Sequence, residues 1–265
     1  MPSVSNIAIG ANMAAAAATK ARHGMNESIA RLSTGVRAMY GGDAAGFSMG
    51  QQTKAVSASY AQATRNIEDG MSLAQQGESV LLEVANLAQR LRELAITADN
   101  AAILDANQEA ALNSEAALIG DTITAVLDKT DFNSFEVVDS AATKQYTIAY
   151  GSLTANTTEV GPNVSIASQA GISAAAGAES NADAVLAGVA TGLGNIAADL
   201  TALKAFQGAA SSTSANMAAA GARLIDTDFA LETASLTKNA ILNQAALAMA
   251  AQANSAQSSI LSVLQ

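Results

Sequence analysis

The stretch that decides the fold opens with Leu242-Asn243-Gln244-Ala245-Ala246-Leu247-Ala248-Met249 and runs on to Val263. Within it Leu242, Ala246, Met249, Ala253, Ala256, Ile260 and Val263 step by 4, 3, 4, 3, 4 and 3. That 3.5-residue period is the seam of a helix packing lengthwise on another helix. Leu247, Leu261 and Leu264 draw a second apolar line beside it. The opposite face is expected to carry Asn243, Gln252, Asn254, Gln257 and Ser258, and no charge occurs between Asn239 and Gln265. A helix apolar on two sides and uncharged elsewhere reads as an assembly helix whose C-terminus is buried against neighbours.

The composition agrees with long, narrow helices. Half of the 265 residues are hydrophobic, yet aromatics are only 3% and Trp is absent, so alanine carries much of the apolar content. Alanine favours helix but fills a core thinly. The net charge of −10, with no cluster of Lys or Arg, offers no path for a phosphate backbone, and no nucleic acid is expected. Without cysteine there is no disulfide, thiol nucleophile or thiolate metal site. No run looks apolar and long enough to span a bilayer. The segment Ile7–Thr19 lacks the basic flank of a signal peptide, so no cleaved leader and no membrane insertion are expected.

The remaining periodicities extend the helical reading. A first helix is expected over Ser3–Arg37, with Met25, Ile29, Leu32 and Val36 as its seam. The Gly-rich turn Tyr40–Gly46 ends it. A long helix is expected from about Ser48 to Asp99, on the seam Leu73, Gly77, Val80, Val84, Leu87, Leu91, Leu94 and Ala98. A third, from about Asn107 to Lys129, uses Leu112, Ala116, Ile119, Ile123 and Val126.

Between Asp131 and Ala182 the pattern changes to short alternating runs, Tyr146–Tyr150 and Val164–Ile166, which read as a β-hairpin or two. Ser180–Asp183 looks like an N-cap for a fourth helix with Leu186, Val189, Leu193, Ile196, Leu200 and Leu203 inward. Asp226-Thr227-Asp228 opens the terminal one. The fold class expected is mainly α, a coiled-coil-like bundle with a small β-hairpin insertion.

The only histidine, His23, has no catalytic or metal-ligating company. Asp226, Asp228 and Glu232 read as capping and dipole partners of a helix start rather than a carboxylate site. Gly41-Gly42 and Gly192-Leu193-Gly194 lack the strand, Lys and helix start of a phosphate loop. No cofactor, metal or catalytic constellation is expected, and the chain is not read as an enzyme.

Several motifs, in order and spacing, resemble those of bacterial flagellins. They are Arg31-Leu32-Ser33-Thr34-Gly35, Asp43-Ala44-Ala45-Gly46, Arg65-Asn66-Ile67-Glu68-Asp69-Gly70 and Gln89-Arg90-Leu91-Arg92-Glu93-Leu94. Thr130-Asp131-Phe132-Asn133-Ser134 is similar to the family's Thr-x-Phe-Asn-Gly turn, and Ile225-Asp226-Thr227-Asp228-Phe229 to its C-terminal signature. The chain departs from the family at Ile7–Gly10 and in the run Ala14–Ala18, which replace a more polar pattern.

The resemblance implies terminal helices, residues 1–43 and 226–265, forming an inner filament core. It implies an outer bundle over 44–225, with a β insertion at about 132–180 too short for large outer domains. It implies a self-assembling subunit of the flagellar filament whose tails order on assembly; the alternative is a hook–filament junction protein. The partners it implies are further copies of the chain, the flagellar type III export apparatus, a secretion chaperone at the C-terminal region, and junction and cap proteins. Gln89, Arg90, Leu94 and Glu115 match the family's surface for protofilament contacts and for Toll-like receptor 5. The Ser/Thr-rich insertion, with Thr154, Thr157, Thr158, Ser165 and Ser168, reads first as a solvated loop, although some flagellins carry O-glycans there.

Overall fold

A computed structural model describes residues 2–37, 43–152 and 156–264, with side-chain surroundings from residue 9 onward except at 101, 260, 261, 263 and 264. Five helices follow in order: α1 (Pro2–Thr34), α2 (Ala44–Ala98), α3 (Ala106–Lys129), α4 (Glu179–Ile225) and α5 (Phe229–Leu264). Four short strands, β1 (Asp131–Phe132), β2 (Phe135–Glu136), β3 (Tyr146–Ala149) and β4 (Thr157–Val160), form two separate antiparallel hairpins between α3 and α4. The chain divides into two compact units, residues 1–55 with 217–265, and residues 56–216. The dividing points fall inside α2 and α4, whereas the sequence suggested the turns at 43/44 and 225/226.

The 56–216 unit holds the core. Every member of the seam from Leu73 to Ala98 is buried except the half-buried Leu87. Ile123, Leu127, Val137, Val138, Val189, Ile196 and Leu203 complete the same cluster. α3 starts in a capping box: Asp105 accepts from the Asn107 and Gln108 amides at 2.8 and 2.9 Å, and Gln108 returns a bond to the Asp105 amide. Gly120 lets the following loop lie on α3, since a Cβ there would come 2.5 Å from the Gln169 carbonyl oxygen. Asn195 and Asp199, one turn apart on α4, hold the Gly161-Pro162 turn through the Pro162 carbonyl and the Gly161 amide.

Three expectations for this unit need correction. α4 begins at Glu179, not after a Ser180–Asp183 cap, because the turn Ala175–Ala178 feeds straight into it. Its first-turn acids instead grip Arg92 of α2, Glu179 at 3.0 Å and Asp183 at 2.8 Å. Val164–Ile166 alternates without forming a strand: Ile166 is buried, and Ser165 donates to the Ser140 carbonyl. Finally, α4 is long and apolar enough, by length and composition, to cross a membrane. Ala and Gly supply much of that apolarity, and Val185, Val189, Ile196 and Leu203 belong to the core of this unit.

In the other unit α1 and α5 pack antiparallel over most of their length. The pairing starts at an isolated bridge between Val36 and Asp226, where the Arg37 amide donates to Ile225 at 2.8 Å and the Thr227 amide to Gly35 at 2.9 Å. Gly35, at φ +69°, ends α1 in the left-handed conformation that glycine adopts without strain. Asp228 caps α5 by accepting from the Ala230 and Leu231 amides. α2 starts at Ala44 rather than near Ser48, because Asp43 caps it through the Gly46 amide at 2.8 Å. Tyr40–Gly42 of the Gly-rich turn and Thr154 of the insertion lie outside the described residues.

Candidate assembly surface

The contact between α1 and α5 is made mostly of small and polar side chains. On α1 it runs through Ala14, Ala18, Ala21, Met25, Ser28 and Leu32; on α5, through Asn239, Asn243, Ala246, Ala250 and Ala253. Ala18 is 4% exposed, and the Asn243 amide nitrogen donates to its carbonyl at 3.1 Å. At Gly24 a Cβ would stand 2.6 Å from the Asn239 amide nitrogen, so the helices approach through glycine there. Small residues let two backbones come close, and that closeness leaves the long side chains on the outside.

Most of the long apolar side chains of both helices lie outside. Ile9, Met13 and Ile29 of α1, with Ile241, Leu242, Leu247 and Met249 of α5, are all exposed, Met13 at 69% and Met249 at 65%. The 4-3 line read from the sequence is therefore divided between two faces. Ala246 is buried on α1, Ala253 and Ala256 are half-buried, and Leu242 and Met249 face outward. The Ile260 and Val263 side chains lie outside the described set. On α1, Met25, Leu32 and Val36 are half-buried, and Ile29 is exposed. Asn243, expected on the face opposite the seam, is instead buried within the pair. The sequence reading missed Asn239, Asn243 and Ala250 as contact residues; an Asn repeating at a four-residue step among alanines was the available signal.

Charged residues fasten the end of the pair near the bridge. Lys54 meets Asp226 at 2.9 Å, and Arg31 lies 3.6 Å from Glu232. Arg37 reaches Asp43 and the Leu224 carbonyl. Asp226, Asp228 and Glu232 thus act in pairing and capping, and no group of three metal-ligating side chains occurs among the described residues. His23 is exposed on α1.

The second surface singled out in the sequence lies on α2 and α3 of the 56–216 unit. Arg90 makes two hydrogen bonds to one oxygen of Glu115, at 2.7 and 3.0 Å, and a third to Glu93 at 3.2 Å. The bonds to Glu115, and then those to Glu93, hold the guanidinium above its ordinary pKa. Gln89 is exposed beside them, whereas Leu94 is buried in the core. What remains accessible here is a charged, hydrogen-bonding patch.

Residues 5–143 match the family model of the bacterial flagellin N-terminal helical region, and residues 181–264 that of the C-terminal helical region. Flagellin of Halalkalibacterium halodurans is 33% identical over 245 residues, 89% of this chain and 90% of that one. Bacillus subtilis flagellin is 28% identical over 276 residues, 89% of this chain and 91% of that one. A crystal structure of Bacillus cereus flagellin aligns with a TM-score of 0.47 and 23% identity, over 59% of this chain and 94% of that one. Both helical ends are matched, and the relatives are covered nearly end to end without a large insertion between them. The chain belongs to the bacterial flagellins, as a subunit of the extracellular flagellar filament in a form without large outer domains.

Proposed function

We propose that the filament grows by burying the outward faces of α1 and α5 against the same helices of neighbouring copies. The observation that carries this is the inverted pattern of the pair: its own contact is built mainly from alanine, serine and asparagine, with Met25 and Leu32 only half-buried, and most of its long apolar side chains face out. Burying each contributes roughly 1.5–3 kcal/mol, available only when copies meet. In this reading residues 1–43 and 226–265 form the inner core and 44–225 the outer part. Leu242 and Met249, with Ile260 and Val263 of the same line, are contacts between copies; Ala246, Ala253, Ala256, Met25, Leu32 and Val36 support the pair, and Ile29 joins the outward set.

An Ala-rich helix pair with so thin a seam is marginal alone. We infer that both tails are frayed in the free subunit and order on assembly, a state suited to passage through the flagellar export apparatus without a cleaved signal peptide. A secretion chaperone would cover the uncharged C-terminal helix before export, and junction and cap proteins would meet its outward face at the filament ends. Gln89, Arg90 and Glu115 would serve protofilament contacts and recognition by Toll-like receptor 5. The role is structural throughout, with no catalytic step assigned.

The test is seeded assembly of purified monomer, followed by electron microscopy, with hydrogen exchange of residues 1–40 and 226–265. Long filaments whose tails become protected only after assembly are expected. Tails protected in dilute monomer would overturn the coupling of order to assembly, and short caps that never elongate would point to a junction protein.

A further inference from the structure

Three of the few aromatic rings in this chain meet at one cavity of about 260 Å³ in the 56–216 unit. Phe132 and Phe135 come from the β1–β2 hairpin and Tyr146 from β3; Leu73 and Ile148 line it too, and Asp69 of α2 contributes a carboxylate. A dry cavity on the order of 150 Å³ already admits a ring-sized guest, so size is no obstacle. Phe135 and Tyr146 stand edge to face, with ring centroids 5.6 Å apart. The Tyr146 hydroxyl is engaged with the Glu136 carbonyl, which leaves its ring rather than its polar end for the cavity.

The charges around this cavity favour a cation. Lys144, the nearby base, is held between Glu136 and Asp139 at 2.8 Å each. Asp69 and Asp131 pair with no cation among the described residues. Burial pushes the Tyr146 phenol up, and Glu136, Asp131 and Asp139 add to that rise against Lys144. Aromatic faces beside an unpaired carboxylate attract an ammonium or guanidinium group more than any neutral guest.

We propose that this cavity receives the cationic head of a basic side chain from a second copy of the chain, an inference that rests on the self-assembly reading above. Charge complementarity names the occupant. Copies carrying a net −10 each repel one another, and a basic side chain seated against carboxylates at their contact offsets that repulsion. Arg65, Lys129 and Lys204 lie in the same unit and form no ion pair among the described residues. A neighbour therefore presents cations of the kind that the cavity lacks.

The experiment uses full-length chain and compares tetramethylammonium chloride with sodium chloride at equal ionic strength. Tetramethylammonium is expected to shift the Tyr146 and Phe135 ring resonances of the monomer, and to slow elongation more than sodium does. Asp69→Asn should raise the critical concentration several-fold with monomer melting unchanged. Phe135→Leu, which keeps an apolar side chain but removes the ring, should raise it likewise while lowering monomer melting only slightly, by the lost ring pair with Tyr146. Neutralising one of Arg65, Lys129 or Lys204 to Gln should give the same loss, and combining it with Asp69→Asn should add nothing. If both cavity variants elongate like the wild type, the proposal is overturned. Ring shifts without any effect on elongation would overturn it too, by showing a site for small cations alone. Should the wild type fail to elongate, the assembly reading falls; the ring titration still judges the cavity, and the absence of a shift rejects it.

Discussion

Asn243 of α5 donates its side-chain amide to the carbonyl of Ala18 on α1 at 3.1 Å, in the middle of the contact between the terminal helices. A single polar residue inside a helical seam commonly fixes register, since only one alignment satisfies it. Alanine neighbours on both sides give little shape information of their own, so the bond carries more of the register here than it would between leucines. Asn243→Ala should cost about 1 kcal/mol through the lost bond. Filaments of the variant should melt at a lower temperature and show weaker amide protection near Ala18. Unchanged melting and protection would mean that the alanine seam sets register alone.

What the sequence revealed follows the size of its side chains. The seam from Leu73 to Ala98 is legible because Leu and Val recur along one face, which the fold buries, while Leu82 and Ile96 stand exposed off it. The terminal pair inverts the usual rule. Its long residues, Leu242 and Met249, mark the outward face, and the inner face is written in Ala and Asn, to which a hydrophobicity pattern is nearly blind. One residue separates the expected line from the observed contact, Leu242 against Asn243 and Met249 against Ala250, because in an Ala-rich helix several registers look alike. Helix starts depended on particular side chains: Asp43 caps α2 earlier than the glycines beside it suggest, whereas Asp228 was readable as a cap. The strand pattern Val164–Ile166 misled because alternation reports one buried side, not a ladder partner.

Two glycines inside helices give opposite expectations for the same change. At Gly50 a Cβ would lie 2.3 Å from Cγ1 of Ile225, which is itself fully buried. The gain of about 1 kcal/mol in helix propensity is then outweighed by an overpacking cost of roughly 1–3 kcal/mol. At Gly194 nothing lies within 4 Å, so only the propensity gain remains. Gly194→Ala should raise the melting temperature of the monomer's 56–216 unit by about 2–4 °C. Gly50→Ala should weaken assembled filaments, and adding Ile225→Val should recover part of the loss.

The β1–β2 hairpin turns through Asn133 at φ +50° and Ser134 at φ +68°. Two consecutive left-handed residues form the turn type in which Asn-Gly is preferred, and serine is the misfit. Ser134→Gly should stabilise the unit by about 0.5–1 kcal/mol, because the relieved strain exceeds the added chain entropy of glycine. Thermal or urea melting of the monomer measures this. A loss of stability would show that Ser134 makes a compensating contact, and the aromatic cavity beside the turn should then change as well.

Two carboxylates of the same unit should give pH dependences of opposite sign. Burial holds the Asp199 carboxyl above its ordinary pKa, with the Gly161 amide opposing. The folded state then binds that proton more tightly than the unfolded chain does. Its contribution improves stability as pH falls through the raised value, and it is unfavourable above that value. Asp139 is held below its ordinary pKa, first by the hydrogen bond from Lys144 and then by the Ala141 amide. Its stabilisation is present above the unfolded pKa and is lost as pH falls through the depressed folded value. Asp199→Asn keeps an acceptor for the Gly161 amide while removing the charge, so it should raise monomer melting at neutral pH and narrow the gain at mildly acidic pH. Asp139→Asn should lower melting at neutral pH and lose less on acidification than the wild type. Melting curves of the three proteins between neutral and acid pH separate these outcomes; parallel curves for wild type and Asp199→Asn would show that water screens the Asp199 charge in the fold as fully as in the unfolded chain.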